Sequence, residues 1–293
     1  MTQPSLVSNG ENNPLRQSFI ELRARERVQA LLDPGSFHEL LSPYDRVISP
    51  WLLQQGIVAQ FDDGVTVSRG KVSGHRAVVI GTEGAFLGGS IGEVSGAKIA
   101  CALELACKDT RAGVPTAAVL ILETGGVRLQ EANLGLAVIS EIHSAIVALR
   151  RHVPVIGIVV GMVGCFGGMA VSAALCSYLI MTRQGRLGMN GPEVIEQEAG
   201  IDEFDSTNRE LIWGIQGGEQ RYRTNLVDAL VQDDVPKIKR AVATALQQSS
   251  PTEHRTDQVT KYLRLLSAVD TSECSGATSV SSRCIEYGVN HGR

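Results

Sequence analysis

The middle of the chain repeats one unit, in which a short apolar run leads into a glycine-bearing loop and then into a helix-like segment. The apolar runs span residues 77–80, 117–122, 155–160 and 178–182. Short apolar runs bounded by glycine indicate buried strands, and a helix between two strands allows them to run parallel. The repetition therefore predicts an α/β fold with a parallel sheet. Because the carboxyl ends of parallel strands meet at one edge of a sheet, we expect the functional site in the loops that follow them.

The composition of the flanking segments divides the chain into three predicted parts. Residues 1–15 are rich in Asn, Ser and Pro, which predicts a disordered tail. Residues 16–250 are predicted to form one domain. Residues 251–293 are predicted to contain one helix, at 258–266, followed by a weakly ordered tail.

Periodicity predicts further elements inside the domain. Residues 16–32 have the apolar spacing of a helix, and another helix is expected from about residue 130. Residues 56–70 and 74–80 alternate like strands, and residues 61–65 are typical of a turn between two strands.

Charge and composition exclude several classes of function. The formal net charge is −4 and there is no long basic run, so a nucleic-acid partner is not expected. No apolar run approaches the roughly 20 residues that a membrane helix needs, and the N-terminus lacks the apolar core of a signal peptide. The six cysteines form no CxxC pair, so we expect neither a zinc ribbon nor another metal site. A reduced, cytoplasmic protein is the expectation.

Two glycine-bearing loops each follow a predicted buried strand and open a predicted helix, at residues 123–128 and 164–169. The first N–H groups of a helix have no partner inside the helix and carry partial positive charge. Two such amides directed at one point would form an oxyanion hole for a thioester enolate. The alternative is that these glycines only allow tight turns between strand and helix.

Five motifs, in order along residues 16–232, resemble those of the acyl-CoA carboxyltransferase family. They lie at residues 23–37, 86–92, 124–132, 167–168 and 191–197. That family belongs to the crotonase superfamily, so the resemblance implies a crotonase/ClpP-like ββα superhelix and a single carboxyltransferase half. It also implies that the hole amides are those of Val127 and Gly168, which follow Gly126 and Gly167.

The same resemblance implies a set of substrate-binding residues around these loops. They are Gly88, Gly89, Ser90, Gly125, Arg128, Gln130, Gly191 and Pro192. For Arg128, contact with a malonyl carboxylate or a phosphate stands beside an ion pair with Glu131. Glu123 is expected to fix its loop, and Cys165 and His143 are expected to be structural.

Differences from other members of the family indicate which group within it this chain resembles. The chain lacks the zinc-ribbon cysteines of acetyl-CoA carboxylase β subunits. Carboxyltransferases of the propionyl-CoA type have two homologous halves, and this chain corresponds to one of them. The block at 188–205 is similar to that of malonate decarboxylase β subunits. This likeness implies decarboxylation of a malonyl group carried as a thioester on the CoA-derived prosthetic group of an acyl carrier protein. It implies no biotin and no cofactor on this chain, and as partners a homologous γ subunit, the carrier protein and an acyl-carrier transferase (α) subunit.

Three other functions remain open from the sequence. The nearest is a carboxyltransferase β subunit that works with biotin. Residues 88–92 also fit the G-x-S-x-G pattern of a serine hydrolase, which would use Ser90. The third is a regulatory or scaffold subunit without activity of its own.

Overall fold

A computed structural model describes residues 17–161, 163–268 and 282. Seven strands form one sheet in chain order. They are β1 (His38–Leu41), β2 (Val65–Val72), β3 (His75–Thr82), β4 (Ala117–Leu122), β5 (Val155–Val159), β6 (Tyr178–Thr182) and β7 (Ala229–Val231). The pairs β1–β2 and β2–β3 are antiparallel, and every pair from β3 to β7 is parallel. The predicted α/β class with a parallel sheet is confirmed.

Ten α-helices connect and cover these strands within the described ranges. They are α1 (Ala24–Leu31), α2 (Pro50–Gln54), α3 (Glu93–Arg111), α4 (Asn133–Leu149), α5 (Gly168–Leu175), α6 (Pro192–Ala199), α7 (Arg209–Gln216), α8 (Gly218–Arg223), α9 (Val235–Gln247) and α10 (Val259–Ala268). None of the helices in the described part of the chain combines the length and the apolar character needed to cross a bilayer.

Both faces of the sheet are buried, as is usual for parallel strands that are covered by helices. All six residues of β4 are apolar and buried. One core lies between the sheet and the helices α3 and α4, and a second lies between the sheet and the helices α1 and α9. The helices α3 and α4 pack closely because Gly96 faces Val138: a Cβ at Gly96 would lie 2.2 Å from Val138 Cγ1.

Single-residue bridges join the loops that follow the strands into a second, smaller layer. Ile91 pairs with Val127, Thr124 with Cys165, and Cys165 with Leu187. The strands β3, β4 and β5 are thus each followed by a bridge residue in the smaller layer and then by a helix. This arrangement confirms the expected ββα superhelix.

Several predicted boundaries are wrong for identifiable reasons. The strand predicted at 56–70 begins only at Val65, because Asp63 lies in a loop whose buried carboxylate accepts the Ser95 N–H. The turn at 61–65 leads into β2, while the hairpin between β2 and β3 turns at Ser73 and Gly74.

The first predicted helix, at 16–32, begins only at Ala24, and the helix expected from about residue 130 begins at Asn133. The short strand β1 has too few residues to show alternation and was missed. The C-terminal helix appears as α10, and both predicted tails lie largely outside the described residues.

Candidate active site

The loops that follow β3, β4 and β5 meet at the carboxyl edge of the sheet. The loop after β3 supports the loop after β4, because the Gly125 N–H donates to the Gly88 carbonyl over 2.8 Å. The two backbones approach so closely that a Cβ at Gly89 would lie 1.9 Å from the Glu123 carbonyl oxygen. Glycine is required at this position because no side chain fits there.

The loops after β4 and β5 also touch each other, through their glycine pairs. A Cβ at Gly126 would lie 2.9 Å from the Phe166 carbonyl oxygen and 3.2 Å from the Gly167 Cα. Gly126 and Gly167 both have positive φ angles, +101° and +58°. The structure therefore brings the two predicted glycine pairs together at one point.

The direction of the Val127 N–H is set by the bond that the Gly126 carbonyl, in the same peptide group, accepts from Ile91. The Ile91 N–H donates to the Gly126 carbonyl over 2.8 Å, and the Ile91 carbonyl accepts the Arg128 N–H over 2.9 Å. In a trans peptide the N–H points opposite to the C=O. The Val127 N–H therefore points away from Ile91, and no hydrogen bond among the described residues uses it.

The Gly168 N–H is oriented in a comparable way at the start of α5. The Ala170 N–H donates to the Gly167 carbonyl over 3.0 Å, so the N–H on the other side of that peptide, which belongs to Gly168, points out of the helix. Gly168 is the first residue of α5, where the helix offers its N–H no partner. Within the described ranges this N–H makes no hydrogen bond.

Two unpartnered N–H groups on touching loops, one of them at a helix N-terminus, form a suitable site for a developing negative charge. Removal of one well-placed donor from such a site costs about 3–4 kcal/mol of transition-state stabilisation. The oxyanion hole at Val127 and Gly168 stays a prediction, and the structure shows that Gly126 and Gly167 are the glycines at which the two loops touch.

Arg128 lies beneath this site and not in it. Its side chain is fully buried, and its Nη1 donates to both carboxylate oxygens of Asp63 over 2.9 and 3.0 Å and to Glu131 over 2.9 Å. Burial raises the pKa of the Asp63 carboxyl in spite of the neighbouring guanidinium. This geometry supports the ion-pair alternative, and contact between Arg128 and substrate stays a prediction.

Glu123 connects three segments behind the first loop. Its buried carboxylate pairs with the Arg27 guanidinium on α1 and accepts the Val163 N–H over 3.2 Å. Val163 precedes the glycine pair of the second loop, so Glu123 holds the two loops in a fixed relation. The expectation that Glu123 fixes its loop agrees with these contacts.

The remaining predicted site residues lie around the loops in different environments. Gln130 is exposed, and its backbone carbonyl accepts from the Gln55 side chain over 2.7 Å. Gly191 and Pro192 form the N-cap and the first residue of α6. Contact of these residues with substrate stays a prediction.

Ser90 does not have the geometry of a hydrolase nucleophile. It follows the short 3₁₀ turn Leu87–Gly89 with φ −66° and ψ 144°, an ordinary extended conformation. A nucleophile elbow instead places its serine on a sharp, strained turn directly after a strand. The structure gives the hydrolase alternative no support.

Two other side chains beside the second loop are structural in character. Cys165 is fully buried, and burial raises the pKa of its thiol, so a reactive thiolate is not favoured there. His143 Nε2 lies 2.9 Å from the Gly168 carbonyl oxygen. Because a carbonyl only accepts, this contact places the ring proton on Nε2.

Sequence reasoning missed two residues that shape the site, Ile91 and Gln216. Ile91 orients the Gly126–Val127 peptide, and Gln216 donates to the Asn190 carbonyl over 2.9 Å. The sequence carries no local signal for Gln216; in the structure a Cβ at Gly188 would lie 3.0 Å from the Gln216 Nε2. No group of three or more His, Cys, Asp or Glu side chains in the described part of the chain is arranged to hold a metal ion.

The family model described as carboxyl transferase domain matches residues 21–244. Malonyl-S-ACP:biotin-protein carboxyltransferase MADC of Malonomonas rubra is 40% identical over 242 residues, which cover 79% of this chain and 76% of that protein.

Two solved structures have the same fold and higher sequence identity. A Pseudomonas malonate decarboxylase hetero-tetramer in complex with malonate contains a chain that is 56% identical, with a TM-score of 0.89, covering 92% of this chain and 98% of that one. A Pseudomonas malonate decarboxylase MdcD-MdcE hetero-dimer contains a chain that is 52% identical, with a TM-score of 0.74, covering 86% of this chain and 97% of that one.

Proposed function

This chain belongs to the carboxyl transferase domain family, and we propose that it is the β subunit of a malonate decarboxylase. With a homologous γ subunit it converts malonyl-S-acyl-carrier-protein into the acetyl thioester and CO2. The observation that carries the proposal is the pair of unpartnered amides, Val127 and Gly168, on two touching glycine loops. The 56% identity to a chain of a malonate decarboxylase crystallised with malonate supports the choice of substrate.

The proposed chemistry needs stabilisation of charge more than it needs a nucleophile. The bond between the α-carbon and the carboxylate breaks, CO2 leaves, and the electron pair moves through the α-carbon to the thioester oxygen. The resulting enolate oxygen accepts the N–H groups of Val127 and Gly168. A proton then adds to the α-carbon and the acetyl thioester forms. Because the amides bind the enolate more strongly than the neutral carbonyl, they lower the barrier and do not merely bind substrate.

We further propose the cofactors, partners and location that this reaction requires. The substrate is carried on a CoA-derived prosthetic group of an acyl carrier protein, and biotin takes no part. A transferase (α) subunit exchanges acetate for the next malonate on the carrier. The buried free thiols of Cys165 and Cys176 agree with a reducing, cytoplasmic location.

The test is CO2 release from malonyl-S-carrier by the complex assembled with its γ and carrier subunits, without biotin. Gly168→Pro removes one proposed donor at the first position of a helix, where proline is well tolerated. Gly168→Ala is the matched control, because it adds the same Cβ, 2.9 Å from Ile139 Cγ2, and keeps the N–H.

We expect the rate of the proline variant to fall by about 100-fold or more, and that of the alanine variant to fall much less. Equal losses in two variants that circular dichroism shows to be folded would locate the reaction elsewhere.

Transfer of the carboxyl group to biotin is the second candidate, because the Malonomonas rubra relative is a biotin-protein carboxyltransferase. The same complex supplied with a biotinylated carrier distinguishes the two reactions. Release of CO2 that does not depend on the biotinylated carrier supports decarboxylation. Formation of carboxybiotin, together with no release of CO2 when the biotinylated carrier is left out, supports transfer.

A further inference from the structure

Gln216 is a buried side chain that holds the outer wall of the second loop. It is the last residue of α7 and is 3% exposed. Its side-chain Nε2 donates to the Asn190 carbonyl over 2.9 Å, and the backbone carbonyl of Gln216 accepts the Leu187 N–H over 2.9 Å. Gln216 therefore bonds to Leu187 and Asn190, the residues on either side of the turn at 188–189.

This turn is bonded directly to the second glycine pair. The Gly167 N–H donates to the Met189 carbonyl over 2.8 Å, and the Cys165 carbonyl accepts the Gly188 N–H over 3.2 Å. The Gly167 N–H precedes the peptide whose N–H belongs to Gly168. The Met189 carbonyl therefore holds the peptide that precedes the one carrying the Gly168 N–H.

Gln216 supplies a buried side-chain anchor of the Met189 turn, beside the backbone bond from the Gly188 N–H to Cys165 and the bond from Arg221 to the Leu187 carbonyl. The Met189 side chain is 62% exposed, and Asn190 is exposed as well. Gly188 has no side chain, and its place is taken by the Gln216 amide, since a Cβ there would lie 3.0 Å from Nε2.

The Gln216 amide is kept in the core although it is not fully satisfied. Its Oε1 is buried and accepts no hydrogen bond from the described residues. A buried acceptor without a donor lowers stability, whereas an apolar side chain of the same length would avoid that cost. A residue selected only for packing would not need an amide here.

We propose that Gln216 is a positioning residue for the oxyanion hole, acting on the Gly168 N–H through Asn190 and Met189. The inference rests on the proposed function, because it assigns Gln216 to the second amide of that site. Loss of the amide leaves the fold intact and misplaces one donor.

Gln216→Met tests this in the complex assembled with the γ and carrier subunits. The variant keeps the length of the side chain, removes the Nε2 donor and removes the unsatisfied Oε1. We expect the melting temperature to stay the same or rise, kcat for CO2 release to fall about 10- to 100-fold, and KM to change less than about twofold. Gln247→Met makes the same change on the exposed surface of α9, which packs on the sheet together with α1, and leaves all three quantities unchanged.

A second measurement does not depend on the reaction. Amide hydrogen exchange of peptides covering residues 164–169 and 186–192 should be faster in Gln216→Met, because the Gly167 N–H loses a fixed acceptor. The exchange of other peptides should stay the same. Wild-type complex that releases no CO2 would defeat the proposed function, while the exchange result would still decide whether Gln216 fixes this loop.

Three results would overturn the inference. The first is full kcat in the folded methionine variant of an active complex. The second is unchanged exchange in both peptides. The third is a lower melting temperature with a proportional loss of active protein, which would show that Gln216 serves stability alone.

Discussion

The two loops to which we assign the donor amides are held largely by different means. The loop at Val127 rests on buried charges, because Arg128 beneath it is fully buried and is paired with Asp63 and Glu131. At Gly167 and Gly168 the second loop bonds to the Met189 carbonyl and the His143 ring, and charged side chains bond it farther back, at Val163. The first loop is anchored by buried charges, and the second, although its Cys165 is buried, is also bonded to a turn whose Met189 side chain is exposed.

This difference predicts different failures. Breaking a buried ion pair leaves an uncompensated charge inside the protein, so damage near Val127 should appear first as lost stability. Breaking a neutral hydrogen bond beside an exposed turn costs less, because water can replace the missing partner. Damage near Gly168 should therefore appear first as lost activity in a folded protein.

The largest effect is expected from Arg128→Met. The substitution leaves the carboxylates of Asp63 and Glu131 buried without their cation, which should lower the free energy of unfolding by about 3–5 kcal/mol. Denaturant unfolding measures this loss. The control is Arg223→Met, which breaks an exposed pair with Glu219 and should cost less than about 1 kcal/mol. Similar losses in the two variants would mean that the buried cluster does not hold the first loop.

A smaller effect, on activity, is expected where the two loops touch. A Cβ in Gly126→Ala would lie 2.9 Å from the Phe166 carbonyl oxygen, and the residue has a positive φ of +101°. The loops must separate, which moves the two amides apart and should reduce kcat for CO2 release by about 100-fold.

Gly113→Ala separates strain from contact in this experiment. Gly113 also has a positive φ, +85°, but a Cβ there meets nothing within 4 Å. Backbone strain should cost each variant about 1–2 kcal/mol of stability, Gly126→Ala should lose more because of its clash, and only Gly126→Ala should lose activity. Equal activity in the two variants would mean that contact between the loops is not needed for the reaction.

The parts of the site that depend on neighbouring residues could be predicted from the sequence. Gly125 and Gly126 follow an apolar run, and Gly167 and Gly168 do the same, so a strand, a turn and a helix start follow from local pattern alone. The choice of the Val127 and Gly168 amides rests on the resemblance to the carboxyltransferase family and stays a prediction.

The groups that hold the amides could not be predicted, because they come from distant parts of the chain. Asp63 lies 65 residues before Arg128 and looked like part of a turn. Without knowledge that these two meet, a carboxylate ligand for Arg128 was as reasonable as an ion pair. Gln216 lies 26 residues beyond Asn190 on a helix with an ordinary amphipathic pattern, so nothing local distinguishes it.

The smallest effect is expected at His143, the neutral contact from α4 to the second loop. His143→Leu removes the Nε2 donor to the Gly168 carbonyl, a bond of 2.9 Å worth about 1 kcal/mol. Because this carbonyl lies on the far side of Gly168 from the proposed donor N–H, kcat should fall only about threefold to fivefold.

His143→Gln provides the matched control, since its amide can donate to the same oxygen and should restore most of the rate. The measurement is kcat of the assembled complex, with the melting temperature recorded for each variant. A loss as large as that of Gly126→Ala would show that α4 controls the second amide directly, and that the half of the site attached to the surface turn is as firmly held as the half built on charge.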